Sequence, residues 1–193
     1  MTQIEKKPFK IIKTERLILK PYEVTFENAT MVYNIIKANG KFLTRYLPSL
    51  LKAKSPEDEY AFFADCNENW KNMKSPVYAI WKNDGTFVGC CDFHNVEYEN
   101  RSAEIGYWLD KKHTGNGYVT EAVKALEDDF FKRGFNRITL IMDTANKACE
   151  KVAIRRGYTK EGVMREWHYN PTFKSFRDMY LYSKLKSEWE KQR

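Results

Sequence analysis

One stretch, residues 104–122, constrains the fold more than any other part of the sequence. Its first part, residues 104–110, is almost continuously apolar and aromatic between its terminal acids, which predicts a buried strand. A basic turn that contains Gly115 and Gly117 follows. Beyond the turn, apolar residues recur at spacings of three, four or one, as on one face of a helix. The stretch therefore predicts a strand, a glycine turn and a helix in direct succession.

The start of that helix is a place where an anion can bind. The first N–H groups of a helix have no partner within it, and the helix dipole favours negative charge there. Gly115 and Gly117 let the backbone approach a diphosphate without Cβ contacts, and Lys111 and Lys112 add positive charge. The turn matches neither common phosphate loop, because no Gly-Lys-Ser/Thr follows and the third glycine of the dinucleotide fingerprint is missing.

Length and composition favour one globular domain over residues 1–193. No apolar run reaches the length of a membrane span, and residues 1–7 lack the apolar region of a signal peptide. The four cysteines include no C-x-x-C pair, and the adjacent Cys90 and Cys91 would point to opposite faces of a strand. We therefore expect a reduced, cytoplasmic chain without a zinc site, and the three histidines form no metal-ligand pair.

The charge balance suggests an anionic partner without identifying it. Lysine and arginine number 33 against 26 acidic residues, which gives a net charge of +7. An anionic ligand or the ribosome would suit this balance, and a solvated basic surface explains it equally well. The sequence has no nucleic-acid-binding motif.

The remaining pattern predicts a mixed α/β fold. A first strand over residues 13–21 is followed by a helix capped by Thr25 and ended by Gly40. A second helix opens at Ser55, and its apolar face is expected to carry Tyr60, Phe63, Cys66 and Trp70. Asn-Asp-Gly at 83–85 predicts a hairpin. The later segments are a strand at 137–142, a helix at 146–156 that Asn146 is placed to cap, and closing strands at 158–166 and 177–184.

Several of these residues resemble a known family. Residues 112–117 resemble the Arg/Gln-x-x-Gly-x-Gly/Ala loop of the GNAT acetyltransferase superfamily, with Lys112 where arginine or glutamine is usual. Further segments are similar to the RimJ/RimL branch of that superfamily, the ribosomal-protein-alanine N-acetyltransferase type: residues 14–20, 103–109, 115–122 and 180–183, and Asn146 leading to 156–158.

The resemblance implies a GNAT-type acyl-CoA N-acyltransferase fold. Its central, mostly antiparallel sheet is flanked by helices and splays open after the strand that begins at Glu104. Acetyl-CoA would be the donor, without a metal, and a primary amine the acceptor; the best-known acceptors of this branch are N-termini of ribosomal proteins. The residues that would bind the cofactor are Trp108, Leu109, Lys112, Thr114, Gly115, Asn116, Gly117, Tyr118 and Asn146.

The resemblance also suggests catalytic residues. Glu104 would be the base that deprotonates the amine, although a charge at the exposed start of a strand explains it equally well. The Leu109 N–H would bind the oxyanion. Cys149 stands where related enzymes often have a serine that protonates the leaving thiolate, and Ala153 stands where many others have a tyrosine. The proton would come from Cys149 or from water.

Other interpretations stay open. The acceptor could be a small amine such as a polyamine or aminoglycoside, or the protein could be a non-catalytic acyl-CoA sensor or ribosome-associated binding protein. A homodimer is compatible with the sequence. His113 could bind a phosphate but is expected to face solvent, and Glu121 is expected to favour the helix dipole. The resemblance places Trp167 and Tyr169 near the entry of an acceptor peptide, but they are expected to lie in the core.

Overall fold

The structure is a computed structural model that describes residues 7–192. Residues 1–6, to which the signal-peptide prediction applies, lie outside the described residues, as does residue 193.

The described chain forms one eight-stranded sheet in the order β1-β2-β3-β4-β5-β6-β8-β7. All neighbouring strands pair antiparallel except β5 and β6, which are parallel. The strands are β1 Ile12–Lys13, β2 Leu17–Lys20, β3 Val77–Lys82, β4 Phe87–Glu97, β5 Ser102–Leu109, β6 Arg137–Asp143, β7 Thr159–Asn170 and β8 Ser175–Leu185.

Helices cover both faces of this sheet. They are α1 Phe26–Ala38, α2 Gly40–Leu43, α3 Pro56–Lys71, α4 Tyr118–Lys132, α5 Lys147–Arg155 and α6 Lys186–Lys191, with short 3-10 turns at Pro48–Lys52 and Lys111–His113. Between residues 7 and 192, no helix combines the length and the apolar character needed to cross a membrane. This confirms the predicted mixed α/β class with a mostly antiparallel sheet.

The two faces of the sheet carry separate cores. Successive residues of a strand point to opposite faces. Cys90 accordingly packs with Phe63 of α3 and Val32 of α1, whereas Cys91 packs in the core that contains Phe130 of α4. The opposite orientation predicted for the two adjacent cysteines is confirmed.

The feature that positions the site is the end of the pairing between β5 and β6. These strands pair over three residues each, from Ser102 opposite Arg137 to Glu104 opposite Thr139. Beyond Glu104, β5 continues to Leu109 and β6 to Asp143 without pairing to each other. The sheet therefore opens into a V, as expected, and the opening begins directly after Glu104 rather than at the end of the strand.

The predicted helix starts are confirmed by their capping bonds. The Thr25 hydroxyl accepts a hydrogen bond from Asn28 N at 3.2 Å. Ser55 and Asp58 form a reciprocal capping box around Pro56, the first residue of α3. Gly85 has a φ of 85° in the turn between β3 and β4, where the Asn-Asp-Gly sequence predicts a hairpin.

Three local predictions were wrong. The first strand is broken between β1 and β2, because Thr14 and Arg16 turn to contact Glu121 of α4. Gly40 does not end the helical region but begins the short helix α2, directly after Asn39 caps α1. Tyr60, assigned to the apolar face of α3, is 41% exposed.

The β7–β8 hairpin is longer than predicted and its tip reaches across the molecule. Asn170 Nδ2 donates to the Arg45 carbonyl at 2.9 Å, and the Thr172 hydroxyl donates to the Thr44 carbonyl at 3.1 Å. The loop after α2 and the hairpin tip are therefore fastened to each other.

A buried charge cluster joins α4, β8 and the end of α5. Glu127 and Lys184 are fully buried; Glu127 Oε2 lies 3.2 Å from Lys184 Nζ and 2.7 Å from Arg156 Nη2. Burial lowers the pKa of Lys184, and the carboxylate of Glu127 opposes that effect. The cluster depends on Glu127, because it is the carboxylate that both cations share.

We expect Glu127→Leu to destabilise the fold by about 3–5 kcal/mol, because it leaves a buried ammonium without its counter-charge. Urea denaturation measures this. Glu190→Gln, which removes the exposed partner of Lys186, is the control and should move the midpoint little. Equal shifts for the two variants would contradict the assigned role of Glu127.

Candidate active site

The free edge of β5 lines the V with backbone groups. Asp110 N–H donates to the Val88 carbonyl at 2.9 Å, across the pairing with β4. Backbone groups of successive residues point to alternate sides of a strand, so the N–H of Leu109 points away from β4 and into the V. The side chains of Trp108 and Leu109 are buried in the core, as expected.

The glycine turn delivers the chain from β5 to α4. Gly115 and Gly117 have φ values of 81° and 80°, in the left-handed region where a Cβ is strained. Gly117 is the residue that caps α4, and a glycine has no side chain with which to accept a hydrogen bond from the first N–H groups of the helix. The helix therefore begins with donors and a positive dipole end directed at whatever occupies the turn.

Asn39 and Asp110 hold the base of the turn. Asn39 Nδ2 donates to Asp110 Oδ1 at 3.1 Å, and Asn39 Oδ1 accepts from Lys111 N at 3.0 Å. Lys112 Nζ lies 3.2 Å from Asp110 Oδ2. Burial would raise the pKa of Asp110, but the hydrogen bonds from Lys112 and Asn39 outweigh it and lower the pKa. Lys112, predicted to bind the cofactor, thus has its charge fixed beside the turn.

Arg16 holds the other side of the turn, and sequence reasoning did not assign it to the site. Its Nη1 donates to the Asn116 carbonyl at 3.0 Å, and its Nη2 lies 2.7 Å from Glu121 Oε2. Its guanidinium also lies 4.9 Å from the centre of the Tyr118 ring. The family resemblance includes residues 14–20 but assigns them no role. The position of Arg16 beside the turn follows from the fold alone.

Glu121 lies in the first turn of α4, as predicted, and contacts the strand side. The Thr14 hydroxyl donates to Glu121 Oε1 at 2.6 Å, and Arg16 binds the second oxygen. Burial acts to raise the pKa of Glu121, but the hydrogen bonds from Thr14 and Arg16 lower it. Glu121 is therefore a structural anion that fixes Arg16.

The polar side chains of the turn satisfy its own carbonyls. The Thr114 hydroxyl donates to the Lys111 carbonyl at 2.8 Å. Asn116 Nδ2 donates to the carbonyls of His113 and Thr114, both at 3.2 Å. Burial lowers the pKa of His113, which is half-buried rather than facing solvent as expected. Thr114 and Asn116 thus shape the turn from within.

Glu104 lies where the V begins. It pairs with His94 of β4 and Thr139 of β6, and its side chain is 19% exposed. Oε1 lies 3.2 Å from His94 Nε2, and Oε2 accepts from Asn95 Nδ2 at 3.3 Å. The carboxylate is therefore held by side chains of β4, contacts that the sequence did not reveal.

Asn146 and Cys149 lie at the start of α5. Asn146 Oδ1 accepts from Cys149 N at 3.2 Å, which confirms its predicted structural role as the helix cap. Cys149 Sγ lies 2.9 Å from Tyr107 Oη, so β5 and α5 are in contact here. Burial raises the pKa of Cys149 to about 11, although the hydrogen bond with Tyr107 lowers it in part.

Strand alternation places Glu104 and Tyr107 on opposite faces of β5. Trp108 lies on the same face as Glu104, because an even number of positions separates them, and it packs with the core beneath α1 and α3. Tyr107 packs against the core beneath α4 and contacts Cys149 of α5. The V is thus flanked by a carboxylate on one face and a thiol with a phenol on the other.

The prediction that Trp167 and Tyr169 are core aromatics was wrong. Their exposed fractions are 62% and 50%, and Phe176 beside them is 59% exposed. Tyr169 and Phe176 contact each other across the hairpin, with ring centres 5.4 Å apart. The part of β7 that extends beyond β6 has no core to enter, because β6 pairs with β8 only as far as Met179.

Comparison with known proteins gives matches that span most of the chain. Residues 16–159 match the family described as Acetyltransferase (GNAT) domain. A Bacillus subtilis protein named "Putative ribosomal N-acetyltransferase YdaF" is 34% identical over 168 residues, which cover 85% of this chain and 89% of that protein. The ribosomal-protein-serine acetyltransferase of Escherichia coli is 30% identical over 110 residues, 56% of this chain and 60% of that one.

A solved structure agrees in fold. RimL, a ribosomal L7/L12 alpha-N-protein acetyltransferase in complex with coenzyme A, superposes with a TM-score of 0.85 at 23% identity. The match covers 93% of this chain and 99% of that chain. At this identity the likeness concerns the fold alone.

The raised pKa of Cys149 gives a testable pH dependence. Alkylation requires the thiolate, so the rate for Cys149 should rise about tenfold per pH unit and continue rising to near pH 11. Mass spectrometry after brief iodoacetamide treatment between pH 7 and 10 measures this. Burial raises the pKa of Cys66 to about 12, which makes it the internal reference. A plateau for Cys149 near pH 8.5 would contradict the burial described here.

Proposed function

The chain belongs to the GNAT acetyltransferase family and is an N-acetyltransferase; we propose that it transfers the acetyl group of acetyl-CoA directly to the N-terminal α-amino group of a protein. The uncapped start of α4 behind Gly115 and Gly117 is the single observation that carries the donor assignment. The acceptor assignment is supported by the names of the relatives.

The glycine turn suits the diphosphate of acetyl-CoA. Backbone donors of α4, the dipole of that helix and the charges of Lys112 and Arg16 all lie at the turn. In this proposal Thr114, Asn116 and Tyr118 shape the turn, and Trp108, Leu109 and Asn146 border the pantetheine arm. The arm would form backbone hydrogen bonds with the free edge of β5, replacing the strand partner that β6 no longer provides.

The reaction needs a neutral amine, an oxyanion donor and a proton for the leaving sulfur. The acceptor nitrogen forms a bond to the thioester carbon, and the carbon–sulfur bond breaks. The ammonium proton passes to the carboxylate of Glu104, directly or through a water. The N–H of Leu109 binds the oxyanion, since it points into the V.

The leaving thiolate takes its proton from Cys149 or from water. Cys149 keeps its proton at neutral pH, because burial raises its pKa to about 11. It is therefore a weak acid, and solvent must return the proton after each turnover if Cys149 donates it. Glu104 and Cys149 lie on opposite faces of β5, which suits an acceptor that enters on one face and a thiol that leaves on the other.

A protein N-terminus fits the charge balance better than a cationic small amine. A polyamine or aminoglycoside would favour an acidic cleft, whereas this chain carries a net charge of +7. The α-amino group of a protein has a pKa of ~7.7–8.0, so a carboxylate base suffices at neutral pH. A ribosome-associated acceptor, a cytoplasmic location and a homodimer remain predictions that accompany this proposal.

Titration calorimetry with coenzyme A tests the donor site. We expect binding by the wild type and about tenfold weaker binding by Lys112→Gln, because a phosphate contact to a cation contributes about 1–2 kcal/mol. Lys71→Gln, at the exposed end of α3, is the matched control and should bind as the wild type does. No heat of binding for the wild type would refute the proposal.

Release of free thiol from acetyl-CoA tests the base. With peptides that begin with Ser, Ala or Thr, we expect turnover by the wild type and a fall of about 10²–10⁴ for Glu104→Gln. Glu97→Gln, on β4 and bonded to Asn100, is the control. Preference for spermidine over every peptide would favour the small-amine reading. Tight coenzyme A binding without turnover on any amine would favour the sensor.

A further inference from the structure

Three polar side chains form a row on the sheet beside the V. His94 lies opposite Glu104 in the register of β4 and β5, and Asp92 lies opposite Gly106. His94 Nδ1 lies 2.7 Å from Asp92 Oδ1, and His94 Nε2 lies 3.2 Å from Glu104 Oε1. One imidazole therefore bridges two carboxylates on the face that α1 and α3 cover farther along the strands.

Gly106 provides the space for this bridge. A Cβ at this position would lie 3.0 and 3.2 Å from the two carboxylate oxygens of Asp92 and 3.2 Å from His94 Cε1. A glycine weakens a strand interior and commonly marks a close approach of another group. Here the approaching groups are the carboxylate and the imidazole, so the strand sequence itself makes room for the row.

Asn95 completes the surroundings of Glu104. It has a φ of 49°, and the register between β4 and β5 shifts just after His94. This irregularity directs Asn95 Nδ2 to Glu104 Oε2, at 3.3 Å. A carboxylate has about four acceptor positions, so the two contacts orient Glu104 and leave it able to accept a further proton.

The bridging imidazole is positively charged at neutral pH. Burial would lower the pKa of His94, but its hydrogen bonds to Asp92 and Glu104 and the charges of both carboxylates raise the pKa to about 10. Three thiols also enter these electrostatics through Asp92: Cys66 on α3, and Cys90 and Cys91 on β4. An imidazolium cannot take a proton from an amine.

We propose that His94, clamped by Asp92, is the positioning residue that fixes the carboxylate of Glu104 toward the acceptor amine. This inference rests on the proposed function, because it assigns His94 a task only if Glu104 is the base. His94 acts through Glu104: it holds one oxygen and Asn95 holds the other, which leaves the remaining lone pairs for the acceptor. Asp92 fixes the ring by binding its second nitrogen.

Kinetics on single and double variants test the positioning. We expect His94→Leu to lower kcat/KM for a peptide acceptor about 10–100-fold, mainly through kcat, because a small misplacement of a catalytic group has effects of this size. Coenzyme A affinity, measured by calorimetry, should stay within about twofold, since His94 does not touch the glycine turn. His94→Gln, which keeps a donor toward Glu104, should recover part of the rate.

The double variant His94→Leu/Glu104→Gln separates positioning from an independent effect. If His94 acts through Glu104, the double variant is no slower than Glu104→Gln alone. Multiplication of the two defects would overturn the proposal, as would wild-type turnover by His94→Leu. Glu97→Gln, at the far end of β4, again serves as the control for a lost carboxylate partner.

NMR titration of the histidine rings gives a readout independent of catalysis. We expect the ring of His94 to remain protonated at pH 8.5 in the wild type, and its titration to move toward neutral pH in Glu104→Gln and in Asp92→Asn. Titration of the wild-type ring near pH 6.5 would overturn the bridge. A bridged His94 together with unchanged turnover by Glu104→Gln would instead refute Glu104 as the base.

Discussion

The site depends on the parting of β5 and β6 after three paired residues. Two parallel neighbours need a crossover connection, and here α4 supplies it. The crossover helix must start where β5 ends, so its free N–H groups lie at the open end of the V. The separation also frees those N–H and carbonyl groups of β5 beyond Glu104 that point away from β4. One topological constraint thus places an anion site and a row of backbone donors side by side.

Carboxylates organise the positive charge around the glycine turn. Lys112 is paired with Asp110, and Arg16 is paired with Glu121. Each acid is anchored by a second contact, to Asn39 and to Thr14 respectively, so the cations are held at the turn rather than dispersed in solvent. The same device recurs beside Glu104, where His94 lies between that carboxylate and the carboxylate of Asp92. In all three places an ion pair fixes a direction more than it contributes stability.

Local chemistry made much of the fold predictable. Thr25, Ser55 and Asn146 each accept a hydrogen bond from a backbone N–H three residues later, so the local sequence was enough to predict these helix starts. The opposite orientation of Cys90 and Cys91 and the position of the glycine turn also follow from adjacent residues. The resemblance of the turn and the strand before it to one family then supplied the opened sheet, which periodicity alone would not have given.

The contacts that were missed join distant parts of the chain. Arg16 and Glu121 are 105 positions apart, and Asn39 and Asp110 are 71 apart. His94 had no signal of its own, because its partners are a residue two positions away and one on the next strand. Trp167 and Tyr169 were assigned to the core on residue type, but the hairpin carries them past the edge of β6. Such pairings follow from register, which single-sequence patterns do not define.

In the contact between the tip of the β7–β8 hairpin and the loop after α2, the hairpin supplies side chains and the loop supplies only main-chain carbonyls. Asn170 and Thr172 bind the main-chain carbonyls of Arg45 and Thr44, so the identity of residues 44 and 45 is irrelevant to the bonds themselves. A substitution at residue 44 or 45 therefore keeps both acceptors, whereas losing the Asn170 amide or the Thr172 hydroxyl removes a bond.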